Sequence, residues 1–364
     1  MKTRRIKTIL LFLSTMPFIG IYAQSIYYVS PHASSGGDGS PATPFHIIHE
    51  AVEKARKDKN CTTIYLREGE YILDTPLVLT SADGNDSKEL IIRNYPGEKA
   101  IISSGITLDL KWEKYKNGIM RAAVKGNPVM DMLIVNGDLR SMARYPDYDK
   151  TAVRFNGTSA LATAPERVKK WKNPEGGYFH AMHSHDWGDF HYRITGKNEK
   201  GELQLEGGWQ NNRPMGIHPE NRMVENIFEE LDAPGEWYYD KQEGWLYYYP
   251  LSDENINELV FETPQLKNLI EIAGTSSHPV KNITIEGIEL TQTIRTFMEH
   301  YEPLLRSDWT IYRGGAVIFR GTEKCTLRDC YIHHVGGNGV FFDKYNRNSA
   351  VTGSYPVSYT HLTL

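Results

Sequence analysis

The sequence predicts a mostly β fold in which short strands stack as the rungs of a solenoid, together with one N-terminal capping helix and an inserted aromatic-rich all-β subdomain. Three observations predict it: short apolar runs alternate with turns, two segments near the C-terminal end echo each other, and aromatic residues concentrate in the centre. Runs this short, without a second helix between them, do not suit a doubly wound α/β sheet. We expect the cap and first strands at 24–125, the inserted subdomain at 126–255 and further rungs at 256–347.

The first 23 residues are typical of an export signal. Four basic residues precede an apolar run at 9–18, and small or weakly polar residues follow up to Ala23, where we place the cleavage site. The apolar run is short for a membrane span, and no later stretch approaches the roughly 20 apolar residues that a transmembrane helix needs. We therefore expect a periplasmic or extracellular protein whose mature chain has no membrane span.

The net charge limits the classes of binding partner, and the cysteines offer few choices of role. Loss of the four basic residues of the signal takes the formal net charge from -4 to -8. Such a chain is a poor candidate for binding nucleic acid, which rewards clustered Lys and Arg. Of the three cysteines, Cys325 and Cys330 lie in a strand pattern, where they act as small buried apolar groups or form a disulfide.

A helix and a series of short strands follow the signal. Apolar residues between Ile47 and Ala55 recur at helical spacing and predict one amphipathic helix that ends near Lys59. Short β-runs separated by turn residues come next. We place these strands at 62–66, 71–73, 77–79, 90–93 and 100–103.

The repeat near the C-terminal end is the basis for the solenoid. Residues 269–275 are echoed by 316–322, and each copy ends in Gly-Thr before a second short strand, at 282–290 or at 325–332. The spacing predicts about two turns of a solenoid with a rung of roughly 20 to 25 residues, in which the intervening rung carries an insertion. Inward side chains of successive rungs would then stack into one continuous core.

The central region ends in a hairpin pattern. Two aromatic runs, at 237–239 and 245–249, flank a polar turn that ends in Gly244. Such a pattern predicts two antiparallel strands joined by a tight turn. We assign this region to the inserted all-β subdomain.

Several strings resemble exported bacterial proteins of the right-handed parallel β-helix class. They are YYVSP at 27–31 with the GDG loop at 37–39, PF at 44–45, VNG at 135–137, ARYP at 143–146 and NITIEG at 282–287. The resemblance reaches to about Arg347 and is closest to glycoside hydrolase family 141. It implies a right-handed parallel β-helix and a parent enzyme that cleaves plant cell-wall glycans as a fucosidase or xylanase. The resemblance also implies catalytic acids on later rungs, so we expect the chain as printed to be inactive.

The last residues differ in character from the rest. Charge disappears after Arg347, and residues 356–364 look like a translated sequencing adapter. We expect a C-terminally truncated chain whose tail, 348–364, is not native.

Candidate catalytic residues follow from the chemistry of glycoside hydrolysis. That reaction uses two carboxyl groups, one protonated and one ionised, on either side of the sugar bond. The candidates on the predicted rungs are Asp308, Asp329 and Asp343, which could equally be solvated or turn carboxylates. Trp309 and Arg313 could form one wall of a sugar cleft; alternatively, Trp309 fills a gap and Arg313 makes a surface pair.

Two histidine groups are candidates for substrate binding. His333 and His334 are adjacent on a predicted strand, so one of them must face outward. His183 and His185 would point the same way on a strand, a spacing that zinc sites use, but they have no placed third ligand. We expect substrate contact or structural hydrogen bonds, with no metal and no cofactor, because no phosphate-binding, dinucleotide or nucleophile-elbow motif is present.

Two alternative functions stay open on the same fold. A polysaccharide lyase would remove a proton next to a uronate carboxylate, and a glycan-binding surface protein would bind without cleavage. All three hypotheses share a polysaccharide or oligosaccharide as the partner.

Overall fold

The chain forms three parallel β-sheets joined to a set of antiparallel sheets. The computed structural model describes residues 24–210, 216–300, 302–303 and 310–357. The predicted signal, at 1–23, lies outside the described residues. The mostly β prediction is confirmed, since strands far outnumber the few short helices among the described residues.

The parallel sheets are built from strands that recur in chain order. In spatial order the first sheet contains Gln24–Val29, Cys61–Leu66, Leu90–Asn94, Ile283–Glu286, Thr326–Arg328 and Ala350–Thr352. The second contains Gly69–Ile72, Ala100–Ser103, Glu289–Thr293, Tyr331–Val335 and Tyr355–Pro356. The third contains Leu77–Leu79, Ile270–Ala273, Val317–Glu323 and Val340–Arg347, and the short strand Val280–Lys281 also pairs with Val317–Glu323.

The inward side chains of these sheets form one apolar core. Along Ile283–Glu286 the two isoleucines are buried while Thr284 and Glu286 are partly exposed, which is the period of two expected for a strand with one buried face. Ile64, Ile92 and Ile285 lie on neighbouring strands in the same core. Burial of each such side chain contributes about 1.5–3 kcal/mol relative to exposure.

The two echoed segments lie on adjacent strands. Ile270 pairs with Val317, and Thr284 pairs with Thr326, in parallel register. Because the echoed segments pair directly, the prediction of an intervening rung between them is wrong. The long spacing arises because the chain makes an excursion after Glu289–Thr293 before it returns to the third sheet at Val317.

One helix packs beside the first strands. Ile48–Lys57 buries Ile48, Ala51, Val52 and Ala55, which recur at helical spacing, so the predicted amphipathic helix is confirmed. It packs against the two N-terminal strands of the first sheet. Its last turn is capped by Lys88, whose ammonium donates to the carbonyl of Ala55 at 2.6 Å.

Antiparallel sheets occupy the chain between Ser103 and Ile270. One contains Asp138–Arg140, Leu133–Val135, Phe261–Pro264 and Gly105–Thr107. A second contains Arg144–Tyr145, Ile217–Glu225, Tyr178–His183, Asp189–Lys197 and Leu203–Gly207. A third contains Trp237–Asp240, Trp245–Tyr248, Met120–Ala123 and Glu113–Lys114. The predicted hairpin is confirmed, since Trp237–Asp240 pairs with Trp245–Tyr248. The bounds 126–255 stay a prediction.

Short elements complete the described structure. A two-stranded ribbon joins Glu302–Pro303 to Thr310–Ile311. The remaining helices are Pro165–Val168 and the 3-10 turns Ala160–Thr163, Phe228–Glu230 and Ile256–Glu258. None of the helices in the described ranges has the length and apolar character to cross a membrane.

The end of the described chain continues the parallel sheets. Ala350–Thr352 pairs with Thr326–Arg328, and Tyr355–Pro356 pairs with Tyr331–Val335, each adding one strand to its sheet. Residues 358–364 lie outside the described residues. The non-native origin of 348–364 stays a prediction.

Candidate functional site

A cavity of about 650 Å³ lies where the antiparallel sheets meet the second parallel sheet. We call it the junction cavity. Its charged and titratable walls come from both parts of the fold: Asp131, Asp138, Arg140, Arg144, Asp147, Tyr148, Glu225, Glu236, Arg295 and His334. Its apolar walls include Met142, Phe155, Met223, Trp237 and Leu251. This mixture of a few polar groups with apolar and aromatic surface is typical of small-ligand sites.

Arg295 anchors one wall of the junction cavity. It follows the strand Glu289–Thr293, and its backbone amide donates to Asp131 at 2.7 Å while its Nε donates to the same carboxylate at 3.0 Å. Its Nη1 pairs with Glu225. Burial alone would lower the pKa of Arg295, but the Asp131 and Glu225 carboxylates outweigh burial and raise it. Arg295 therefore stays charged and holds both acids by ion pairs.

A buried polar chain continues from Glu225 into the antiparallel sheet. His180 Nε2 lies 3.3 Å from Glu225, and the Nδ1 atoms of His180 and His191 lie 2.7 Å apart. His191 Nε2 lies 3.4 Å from Asp189. Burial lowers the pKa of His180 to about 4, so its imidazole is neutral at neutral pH. These contacts fix the Glu225 carboxylate in place.

Glu236 is a buried carboxyl group in the wall of the junction cavity. It immediately precedes the strand Trp237–Asp240 and is only 3% exposed. Its Oε2 accepts a hydrogen bond from the Ala233 amide at 3.3 Å, and its Oε1 has no hydrogen-bond partner among the described residues. Burial, reinforced by the charges of Asp147 and Asp232, raises the pKa of Glu236 to about 8. At neutral pH this carboxyl group is mostly protonated.

Arg144 brings a positive charge to the same cavity. Its guanidinium is buried and donates to the carbonyls of Pro146 at 2.8 Å, Phe155 at 2.7 Å and Gly157 at 3.0 Å. The loop 146–157 thus wraps around the side chain. Burial lowers the pKa of Arg144, but a guanidinium stays charged at any physiological pH.

The combination suits acid–base chemistry on a polar ligand. Glu236 supplies a protonated carboxyl group, and Asp147 is an exposed residue on the wall of the same cavity. Two titratable groups whose environments separate their protonation states are the usual pattern of acid and base assignments in an active site.

Of the residues predicted from sequence, His334 lines the junction cavity. Its neighbour His333 is hydrogen-bonded to Glu289, with Nε2 2.8 Å from Oε1. Both imidazoles are half-buried with their Nδ1 atoms 3.0 Å apart, so the expected alternation of faces does not hold. The reason is local: His334 has a φ of 48°, in the left-handed region, which interrupts the strand geometry.

Asp343 and Arg313 lie together, away from the junction cavity. Asp343 is buried and accepts from Arg313 Nη1 at 2.9 Å and from Arg320 Nε at 2.8 Å. Burial alone would raise the pKa of Asp343, but the hydrogen bonds from the two arginines outweigh it and lower the pKa. Arg313 also pairs with Glu302. Both residues therefore sit in a compact ion-pair network.

The other predicted residues are spread over the molecule. Asp329 is exposed at the corner after Thr326–Arg328, with a φ of 52°. His183 is buried at the end of its strand, and its ring stacks on Trp187 with centroids 6.1 Å apart. His185 lies beyond that strand and is exposed. Asp308 and Trp309 lie outside the described residues.

Sequence reasoning missed Glu236, Asp147, Glu225 and Arg295. The sequence offered one signal for Glu236. This acid directly precedes an aromatic strand, and an aromatic strand is expected to be buried, so the acid lies beside a buried element. A second was the ARYP string at 143–146, which precedes Asp147 and supplies Arg144. Nothing in the pattern of residues indicated that Arg295, far along the chain, would meet them.

Comparison with known proteins places the fold. No family model matches the chain. Over 88 residues it is 34% identical to the uncharacterized protein YwoF of Bacillus subtilis (strain 168), a match that covers 24% of this chain and 17% of that protein. A solved glycoside hydrolase superposes on 91% of this chain with a TM-score of 0.74 and 20% sequence identity. The chain has a glycoside hydrolase-like fold.

The match does not extend over the whole of that enzyme. The chain spans 65% of the length of the solved glycoside hydrolase. A solved complex of XylC with xylose is also similar over 85% of this chain and 40% of that one, with a TM-score of 0.41 and 14% identity.

Proposed function

We propose that this chain is the N-terminal part of an exported glycoside hydrolase, built on a right-handed parallel β-helix, that acts on plant cell-wall or other complex polysaccharides. The observation that carries the proposal is the junction cavity, whose wall holds a protonated buried acid, Glu236, together with further carboxyl groups. Glycoside hydrolases need this pairing of carboxyl groups.

The β-helix proposal is supported by the order of strands. The chain visits the first, second and third parallel sheets in turn, and each pass adds a strand next to the previous one. The antiparallel sheets are inserted within one such pass, between Ser103 and Ile270. A solenoid with an inserted subdomain accounts for this order.

Export is supported by the N-terminal pattern. Basic residues, a short apolar run and small residues up to Ala23 form the three regions of a cleavable signal. Secretion to the periplasm or the medium would bring the protein to its polysaccharide.

The walls of the cavity fit a carbohydrate ligand. Sugars combine apolar ring faces with hydroxyl edges, and the junction cavity offers Trp237 and Phe155 beside Glu236, Arg144 and Asp147. Its volume of about 650 Å³ falls in the range of sites for small molecules. A short segment of a glycan is the ligand class that we propose.

The test compares the chain as printed with the product read through from the source DNA beyond Arg347. Each is incubated with a panel of plant and host polysaccharides, and new reducing ends are measured. We expect hydrolysis by the longer product. Hydrolysis by the printed chain as well would show that the residues up to Arg347 suffice for catalysis.

A polysaccharide lyase is the second candidate, favoured by Arg144. The hydrogen bonds of this cation go to backbone carbonyls, so its charge is suited to a uronate carboxylate in the cavity. New ultraviolet absorbance from an unsaturated product would establish the lyase. Tight glycan binding with neither new reducing ends nor an unsaturated product would establish a glycan-binding protein without catalytic activity.

A further inference from the structure

We propose that Glu236 is the proton donor of the junction cavity and that Asp147 accepts the proton of the attacking water. The proposal rests on the proposed function, glycoside hydrolysis, and assigns the two reacting groups to residues within this chain. It differs from the expectation that the catalytic acids lie on later rungs.

Geometry supports Glu236 as a donor waiting for a ligand. Its side chain is almost wholly buried in the wall of the cavity, yet its Oε1 has no partner among the described residues. Buried polar groups in proteins are nearly always hydrogen-bonded, so an unpartnered carboxyl oxygen calls for an explanation. A glycosidic oxygen in the cavity would accept the hydrogen bond that Oε1 can donate when protonated.

The charges around Glu236 decide which form it takes. The charged and titratable groups that share its cavity or act on it are Asp131, Asp138, Arg140, Arg144, Asp147, Tyr148, Glu225, Asp232, Arg295 and His334. Arg140 is paired with Glu254 at 2.7 Å, and Arg295 is paired with Asp131 and Glu225. Arg144 favours the ionised form of Glu236, whereas burial and the charges of Asp147 and Asp232 favour the protonated form and outweigh it.

Glu225 is unsuited to the same role. It is held by Arg295 on one side and lies 3.3 Å from His180 on the other. Its carboxylate is therefore engaged by protein partners. Its contacts assign it to positioning Arg295 in the wall of the cavity.

Asp147 meets the requirements for the base. It is exposed to solvent, and it lies on the wall of the same cavity. It is also close enough to Glu236 for its charge to raise the pKa of that group. A water molecule entering from solvent would pass this carboxylate.

The reaction balances with these two groups. Glu236 gives its proton to the glycosidic oxygen, and the bond from that oxygen to the anomeric carbon breaks with its electron pair going to the oxygen. The oxygen of water forms the new bond to the anomeric carbon, and the proton that water releases goes to Asp147. The two carboxyl groups then return to their starting states by exchange with solvent. This sequence inverts the anomeric configuration.

The experiment uses the product read through beyond Arg347, with aryl glycosides of the sugar that the polysaccharide screen identifies. We compare the unsubstituted protein, Glu236→Gln and the control Glu243→Gln, which changes an exposed acid in the turn of the neighbouring hairpin. Loss of a general acid should lower kcat/KM by roughly 100- to 10,000-fold on poor leaving groups. It should have little effect on a dinitrophenyl leaving group, which needs no protonation, and Glu243→Gln should match the unsubstituted protein on both.

The outcomes separate the two proposals. If the unsubstituted protein cleaves no glycan, the proposed function fails and this assignment fails with it. If it cleaves glycans and Glu236→Gln is unchanged, or is slowed equally on all leaving groups, glycoside hydrolysis stands and Glu236 is not the donor. Retention of anomeric configuration in the product, followed by NMR, would remove Asp147 from the role of base.

A second measurement is made if the Glu236→Gln variant does not fold. In that case the carboxyl carbon of Glu236 is titrated by ¹³C NMR in the unsubstituted protein. A midpoint near pH 8 supports the assignment, whereas a midpoint near that of an exposed glutamate, about 4.3, overturns it.

Discussion

Gly274, directly after the strand Ile270–Ala273, and Gly321, in the adjacent strand Val317–Glu323, lie so close that there is no room for a side chain between them. A Cβ on Gly274 would overlap the carbonyl oxygen of Gly321, and a Cβ on Gly321 would overlap the carbonyl carbon of Gly274. Gly274 also donates from its backbone amide to Arg320 at 2.7 Å. The repeated Gly-Thr pair in the sequence therefore marks a close approach of two backbones.

Gly274→Ala should destabilise the protein by about 1–3 kcal/mol, because rigid backbone must move to make room for the methyl group. The free energy of unfolding in urea measures the effect. Gly216→Ala is the matched control, since no described atom lies within 4 Å of the Cβ that it would add. Equal stability of the two variants would contradict the close approach.

Arg295→Met should destabilise the protein by roughly 3–5 kcal/mol, because it removes the buried cation that pairs with Asp131 and Glu225. The control is Arg328→Met, which breaks an exposed pair with Glu286 and should change stability by less than about 1 kcal/mol. Chemical denaturation of both variants gives the comparison. If Arg295→Met lowers the free energy of unfolding no more than the control does, water reaches the Asp131, Glu225 and Arg295 side chains.

Glu236 should make the protein less stable as the pH rises from about 4.5 to 8. In this window the unfolded chain has lost the proton while the folded protein, in which the pKa is raised to about 8, still holds it. The free energy of unfolding then falls with pH, and the fall ends once the folded carboxyl also ionises. Glu236→Gln should remove this term, which is worth about 1.4 kcal/mol per pH unit within the window.

The measurement is the melting temperature of the Glu236→Gln variant and of the unsubstituted protein between pH 4 and 9. Glu243→Gln, on the exposed turn, should follow the unsubstituted protein throughout. Parallel curves for all three proteins would show that Glu236 has an ordinary pKa.

Native protein should expose one reactive thiol out of three. Cys325 and Cys330 are buried without a disulfide, and burial raises the pKa of each thiol to about 11, whereas Cys61 is partly exposed. Because the thiolate is the reactive form, both buried thiols should resist alkylation. Mass spectrometry after brief treatment with iodoacetamide should show a single label on Cys61, and three labels after denaturation. A native Cys325–Cys330 disulfide would instead appear as a loss of 2 Da and block both labels.

The sequence predicted the local elements better than their assembly. The strands at 77–79 and 100–103 and the helix that begins near Ile48 follow from apolar periodicity, which is a property of neighbouring residues. The rung spacing was misread because an excursion of the chain lengthens one pass without changing the strands on either side of it. Pattern alone does not distinguish an insertion from an additional rung.

The residues of the candidate site were harder to predict from the sequence than the strands and the helix. The junction cavity brings together Asp131, Glu225 and Arg295, which are distant along the chain and meet through tertiary packing. The sequence search favoured acids on the predicted rungs, and there Asp343 is engaged by two arginines. Of the predicted site residues that the structure describes, only His334 lines the cavity.

The two ends of the segment that forms the antiparallel sheets, between Ser103 and Ile270, are hydrogen-bonded to each other. This contact has a consequence for how the chain folds. The Gln265 amide lies 3.2 Å from Ser104 Oγ across a sequence separation of 161 residues, and Ser104 in turn donates to Gln292 at 2.5 Å. If the segment folds first with its ends adjacent, the interrupted pass closes like a short loop, and little loop-closure entropy remains to be lost. Newly synthesised chains would then complete this part of the parallel stack only after the antiparallel sheets have formed.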